Sequence, residues 1–367
     1  MIHIDFDRAQ TVFARMLALY RSRAHPFVNL ENDLPQTIVL PEVQKDPLRF
    51  ALHLFFSCLY MRGTVVSSHA FAVLNRLQLE APWLFQLEVV AFVFVAEIEA
   101  TIGAYIPWQK HDVAISWRNN ARILLNEWKG DPRLIFKGVK KKEDLYRRVM
   151  GRKYKEYQVN EQGKKVRIPN PHAGFRGFQE KMTSMLAYFL EATGLIAPTT
   201  LSAPVDFHHL RVYLATGMIV TPEESVRYEH IKHLGIKLAE RLQKKFGLTQ
   251  VEYGDIVWLW SIRSCRHAPH NASDATIDET GREVRTPVLV KWAPGVIDSH
   301  NRTCGRCHVA DHCRFGVPAG PYYTTGKFLK VERTEPPQDT LFWPHEVPHL
   351  EMPSDDEKDQ FLARFIA

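Results

Sequence analysis

The sequence has no long apolar run. Its most hydrophobic stretch, Val89 to Ala96 (VVAFVFVA), falls well short of the roughly 20 residues that a bilayer-crossing helix needs, and Glu88, Glu97 and Glu99 flank it. It reads as a buried helix, and no membrane partner is expected. Cysteine is scarce, with five in 367 residues. In a chain without a secretory signature such residues read as reduced or metal-bound thiols rather than disulfides. That signature is missing because the opening MIHIDFDRAQ carries acidic groups and no unbroken apolar core follows it. A cytoplasmic location is the expectation. There is no internal repeat, and the net charge of +6 is too small to mark a partner by itself.

The chain does have 45% hydrophobic residues and the length for one large or two ordinary domains, each with its own core. Its positive charge is gathered in one place. Between Lys129 and Arg167 stand 14 Lys or Arg against 5 Asp or Glu, a local +9 that leaves the rest of the chain at −3. The segment reads as a basic loop, either solvated or facing a polyanion. Tyr146, Tyr154 and Tyr157 are interleaved with the cations, which suits contacts to sugars and phosphates and also ordinary packing.

Helical periodicity dominates, as in FARMLALYRSR (13–23) and SVRYEHIKHLGIKLAERLQKKFG (225–247), so the fold class is mainly α. Further helices are expected at 47–59, 65–77, 82–104, 113–128, 178–193, 207–216 and 254–264. A polar stretch at 266–303 reads as an insertion with a small β-hairpin around Thr280 and Gly281. The Pro-rich, acidic chain from about Glu335 reads as an extended tail.

Two constellations carry chemistry. TCGRCHVADHC spaces Cys304, Cys307 and Cys313 as C-x2-C-x5-C, and Cys265 closes the helix WLWSIRSC. Four thiolates suit an iron–sulfur cluster or a structural zinc, and His308 or His312 can replace Cys265 in a zinc site. Cys58, among Leu54, Phe55, Phe56 and Leu59, reads as a core thiol. The second constellation is PVDFHHLRV at 204–212, where Asp206 is a natural N-cap for the helix that follows.

PVDFHHLRV, then WLWSIRSC, then C-x2-C-x5-C resembles the helix-hairpin-helix DNA glycosylases of the endonuclease III type. Val205, Asp206, His208, Arg211 and Val212 match the family's V-D-x-H-x-x-R-V pattern, which carries its catalytic aspartate. The last two intervals of its C-x6-C-x2-C-x5-C cluster motif recur, but 38 residues separate Cys265 from Cys304. GFRGFQEKM (174–182) resembles the family's hairpin. Gly177 stands at its first glycine, Gln179 replaces the second, and Lys181 falls on the lysine that bifunctional members use as an amine nucleophile. The likeness spans about residues 45 to 315.

The resemblance implies a helix-hairpin-helix DNA glycosylase fold with two helical lobes, a cluster loop and a small β-hairpin insertion. Residues 1–44 would join the cluster domain and 45–196 would form a helical barrel carrying the basic loop 129–167. Residues 197–320 would complete the cluster domain with its insertion, and 321–367 would be a C-terminal extension. It implies excision of a base flipped out of double-stranded DNA by a monomer, with Asp206 stabilising the sugar cation and Lys181 as a possible lyase nucleophile. Cys265, Cys304, Cys307 and Cys313 would hold a 4Fe–4S cluster, with zinc as the alternative. Arg62, Gly177, Gln179, Lys140, Lys141, Lys142, Arg306 and Arg314 are the expected DNA contacts, with Tyr60, Met61 and Arg62 as candidates for the wedge that fills the gap. The substrate is either a damaged base in repair or a hypermodified one, such as the glucosylated hydroxymethylcytosine of phage DNA, removed as defence. The alternatives are a non-catalytic nucleic-acid binder with a structural metal and an N-glycosidase for free nucleosides or nucleotides.

Overall fold

The computed structural model describes residues 2–61, 65, 67–106, 109–139, 141–199, 201–221, 225–265, 273–277, 283–287, 307–313 and 328–330. Among them run twelve α-helices: α1 (Phe6–Ser22), α2 (Pro41–Gln44), α3 (Pro47–Tyr60), α4 (Ser67–Glu80), α5 (Leu87–Val90), α6 (Val95–Gly103), α7 (Lys110–Trp128), α8 (Lys142–Met150), α9 (Glu180–Ala192), α10 (Phe207–Ala215), α11 (Tyr228–Phe246) and α12 (Gln250–Arg263). The strands are short: β1 (His3–Ile4), β2 (Tyr157–Val159), β3 (Lys165–Arg167), β4 (Ile219–Val220), β5 (Ser225–Arg227), β6 (Ser273–Ile277), β7 (Glu283–Pro287) and β8 (Phe328–Lys330). They pair two by two, β1 with β4, β2 with β3, β5 with β8 and β6 with β7. The protein is mainly α, and no helix among the described residues is long and apolar enough to cross a membrane. The chain divides into two compact units, one of Met1–Asp33, Val205–Thr276 and Val284–Ala367, the other of Leu34–Pro204 and Ile277–Glu283.

The second unit is organised around α3. The Asp46 carboxylate accepts from the Leu48 and Arg49 N–H groups, and Pro47 occupies the first turn, where an N–H would go unused. Every residue from Phe50 to Tyr60 is buried, Cys58 among them, as befits a helix apolar on all sides at the centre of a domain. Phe56 stacks on Trp117 of α7 at 4.2 Å and Phe55 on Phe178 at 4.9 Å, while the Trp117 indole donates to the Leu84 carbonyl at 2.8 Å.

His53 is a titratable group within this core, fully buried between Phe71 and Phe85. Burial, aided by the Arg49 charge, pushes its imidazole down to about 3. A folded-state value below the unfolded one means that the unfolded chain binds the extra proton. The neutral ring's contribution is therefore intact above about pH 6.5 and lost as pH falls toward 3. Replacing His53 with Phe should flatten the dependence of urea stability on pH between 6.5 and 4 by up to about 1.4 kcal/mol per unit. An unchanged slope would show that His53 does not titrate on unfolding.

Two expectations for this unit are overturned. The helix foreseen at 82–104 is broken into a 3-10 turn at Pro82–Phe85, α5, a turn at 91–94, and α6. VVAFVFVA is thus no buried helix, for Phe92 and Phe94 are 74% and 77% exposed. β-branched and aromatic residues crowd the stretch and weaken its helical preference, and Arg122 Nε donates to the Ala91 carbonyl at 2.6 Å, satisfying the turn. Nor is 129–167 a plain loop. It forms α8, with Leu145 and Val149 buried one turn apart, and then the β2–β3 ribbon.

In the first unit α10 packs against α11 and α12, and α1 against the same two helices. The approach of α11 is close: a Cβ on Gly235 would stand 2.8 Å from Leu210 Cδ2 and 3.1 Å from Val205 Cγ1. Phe13 of α1 stacks on Tyr253 of α12 at 4.9 Å. A reciprocal cap starts α12, with Thr249 Oγ1 accepting from the Glu252 N–H and the Glu252 carboxylate from the Thr249 N–H. The paired strands β6 and β7 flank Thr280 and Gly281, where the sequence suggested a hairpin.

Candidate functional site

The chain enters α10 through 201–206, buried at each residue, and Asp206 is the N-cap, with extended backbone at φ −126 and ψ −170. Its Oδ1 accepts from the His208 N–H at 2.9 Å and the His209 N–H at 3.3 Å. It also lies 3.0 Å from His209 Nδ1; a carboxylate only accepts, so the ring nitrogen donates. Both side chains are nearly closed off, with 12% of the Asp206 side chain and 3% of the His209 side chain exposed, so the carboxylate is fixed from two directions. One turn further on, the Tyr213 hydroxyl lies 2.8 Å from that of Tyr253. Burial, then Tyr253, then the Asp206 charge hold the Tyr213 phenol well above its usual value, so it remains protonated at neutral pH.

Nearer the C-terminal end of α12, α10 meets that helix again through His208. His208 Nδ1 lies 3.2 Å from Ser261 Oγ, and its ring meets Trp258 edge-on. Arg211 is buried, and its charge reaches Cys265 just beyond the end of α12. The Cys265 thiol is pushed up to about 12 by burial and by Cys307, against the pull of Arg211. Cys313 is raised well above its usual value by burial, Cys265 and Cys307. The fold therefore brings Cys265 within electrostatic reach of Cys307 and Cys313 despite their distance in sequence. Among the described residues no group of three or more His, Cys, Asp or Glu side chains has a metal-holding arrangement. Cys304 lies outside the described residues.

The 307–313 loop is held by α1, a role that no sequence feature announced. Arg8 Nη1 donates to the carbonyls of His312 (3.3 Å) and Thr216 (3.4 Å). Seven residues on, and on the same helical face, Arg15 donates to the His308 carbonyl (3.3 Å) and pairs with the Asp311 carboxylate (2.7 Å). Burial tends to raise that carboxyl, but the Arg15 hydrogen bond with the His312 and Arg15 charges outweighs it, leaving Asp311 below its usual value.

In the other unit α8 ends at Met150, and the chain departs through the β2–β3 ribbon and returns at Gly174. Gly151 and Gly174 meet backbone to backbone, and a Cβ on either would run into the other's main chain. Phe175 N–H donates to the Val149 carbonyl at 2.8 Å. The turn from Phe175 to Phe178 is anchored by those two buried rings, with Gly177 at φ +87. Asn120 grips the turn twice, accepting from the Arg176 N–H (2.7 Å) and donating to the Arg176 carbonyl (2.9 Å). Gln179 then caps α9 without a side-chain hydrogen bond and is exposed, and Lys181 in the first turn is half-buried.

Of the remaining predicted contacts, Lys141 is the exposed N-cap of α8 and Lys142 its first residue. Arg62, Lys140, Arg306 and Arg314 lie outside the described residues. Tyr60 is buried in the α3 core and cannot serve as a wedge. Sequence reasoning passed over His209, although a residue three places after an Asp N-cap is the first whose side chain can fold back on the carboxylate. The chain matches no protein-family model, and no curated protein matches it significantly.

Proposed function

We propose that this protein is a DNA glycosylase of helix-hairpin-helix type that hydrolyses the bond between a flipped-out base and its deoxyribose. The observation that carries the reading is the Asp206 carboxylate, buried at the N-terminus of α10 and fixed by two backbone N–H groups and the His209 ring. Donors and the positive end of a helix favour the charged carboxylate near neutral pH. A fixed anion in a water-poor site is what a sugar cation needs as its base departs. In this mechanism the C1′–N bond breaks with its electron pair on the base nitrogen, and a water oxygen bonds to C1′. The water's proton passes by way of Asp206 to the leaving base. His209 acts as a positioning residue, holding Oδ1 so that the carboxylate does not turn away.

The DNA-facing element is α8, the Phe175–Phe178 turn and α9, a helix–hairpin–helix into which the β2–β3 ribbon has been spliced at the Gly151–Gly174 joint. The exposed start of α9 offers backbone N–H groups to a phosphate, and Lys181 stands in that first turn as phosphate contact or lyase nucleophile. Buried thiols this close repel one another as thiolates, so they lose their protons to solvent only when a metal cation takes the protons' place, and Arg211 beside Cys265 supplies a counter-charge. Cys265, Cys304, Cys307 and Cys313 would hold a 4Fe–4S cluster, whose contribution is to tie the 307–313 loop to the end of α12.

The test is abasic-site formation by purified protein on unmodified, oxidised, alkylated, uracil-containing and glucosyl-hydroxymethylcytosine DNA. Abasic sites in one of these are the expected result and name the substrate. Tight duplex binding with abasic sites in none of them would replace the glycosylase by a non-catalytic DNA binder.

A further inference from the structure

The β2–β3 ribbon is rigid at its root and bare along its blade. At the root Arg147 pairs with Glu156 (2.7 Å), and the Asn170 amide donates to the carbonyls of Arg147 (2.9 Å) and Gly151 (2.8 Å). Glu127 accepts from His172 Nδ1 and the Ala173 N–H, both at 3.0 Å, and Ile168 N–H closes the base on the Glu156 carbonyl at 2.9 Å. The tip is ordered too: Asn160 Oδ1 accepts from the N–H groups of Gln162 and Lys164, with Gly163 at φ +73. Yet all six strand residues are exposed, including the apolar Tyr157 (54%) and Val159 (66%). An isolated two-stranded hairpin is marginal in water, so a blade held out in this way has the form of something made to be covered.

Chemistry specifies the cover. From 152 to 167 the ribbon carries Arg152, Lys153, Lys155, Lys164, Lys165 and Arg167 against Glu156 and Glu161, and Glu156 is already engaged by Arg147. The register sets Tyr157 opposite Arg167 and Val159 opposite Lys165, so one face alternates apolar bodies with cations. From root to tip the blade reaches roughly 20 Å at about 3.3 Å per residue. Two strands about 4.8 Å apart with their side chains match the major groove of B-form DNA, about 12 Å wide. The major groove of an A-form RNA helix is too narrow to admit them.

We propose that the β2–β3 ribbon enters the major groove of duplex DNA beside the Phe175–Phe178 turn and forms a second, independent grip on the substrate duplex. The position of the turn against the DNA rests on the glycosylase reading; the ribbon's own affinity does not.

The experiment compares three full-length proteins: wild type, Lys164→Ala with Lys165→Ala, and a chain in which Asn-Gly replaces 157–167, joining Glu156 to Ile168 where they already hydrogen-bond. Duplex DNA affinity is measured against salt, with dimethyl sulfate protection of guanine N7, which lies in the major groove. The double variant should bind about tenfold or more weakly, with a salt slope shallower by about 2. The ribbonless chain should lose the N7 protection while keeping the circular dichroism of the wild type. Unchanged affinity, slope and protection in both variants overturns the proposal, as does equal or tighter wild-type binding of duplex RNA. A wild type that binds duplex DNA through the ribbon but excises no base would sink the glycosylase reading and leave the ribbon standing. Excision by a ribbonless chain with wild-type affinity would do the reverse.

Discussion

Asp206→Asn should slow base excision by orders of magnitude while leaving the protein folded and bound to DNA. Asparagine is as good an N-cap as aspartate, and its carbonyl oxygen can still accept from the His208 and His209 N–H groups and from the His209 ring. The start of α10 therefore survives, and stability should move by no more than about 1 kcal/mol. The negative charge is what disappears. In the proposed mechanism the developing sugar cation then loses its fixed counter-ion and the attacking water its proton acceptor. Losses of about 100-fold to 10,000-fold in the rate of abasic-site formation follow from removing one such group. Single-turnover rates and duplex affinity measured on the same preparations separate the two effects. An Asp206→Asn protein that excises at the wild-type rate would remove Asp206 from the chemistry and leave it a helix cap.

The Asp206 cap and several of the helices were legible in the sequence because their signals are local. An Asp before FHHLRV is a cap by its own chemistry, and α3, α9 and α12 carry apolar positions at helical spacing that survive any tertiary context. Two of the failures share a cause, which is that the deciding partner lies far along the chain. The break at Ala91 depends on Arg122. The clasp on the 307–313 loop depends on Arg8 and Arg15, which read as ordinary surface cations of α1. In the 129–167 segment, charge density concealed two real patterns. Leu145 and Val149 are four apart on one helical face, and Tyr157–Val159 and Lys165–Arg167 pair across a turn that Asn160 and Gly163 specify. His209 went unread because its importance lies in the rotamer that brings Nδ1 to Asp206, which spacing permits without fixing.

Cys265→Ser should have the largest effect on stability, and Cys58→Ser supplies the contrast. Cys265 stands one residue past the cap of α12, within reach of the Arg211 charge of α10, with Cys307 close enough to raise its thiol and Cys265 in turn raising that of Cys313. If these thiolates hold a 4Fe–4S cluster, metal binding is part of the folding free energy of the loop, and for structural zinc sites that contribution is on the order of 10 kcal/mol. Serine is a poor ligand for soft iron, so the variant should purify without iron, without the brown visible absorbance and with a melting transition lower by ten degrees or more. Arg8 and Arg15 do not compensate, because two carbonyl contacts and one exposed ion pair are worth little beside a metal cross-link. Cys58 lies in the last turn of α3 with no exposure, where a hydroxyl in place of the thiol costs about 1–3 kcal/mol of desolvation. Cys58→Ser should thus melt earlier yet keep its iron and its colour. Equal metal content in both variants would refute the cluster assignment. A colourless wild type with one equivalent of zinc, lost only in Cys265→Ser, would keep the ligand set and change the metal, because four thiolates suit either centre.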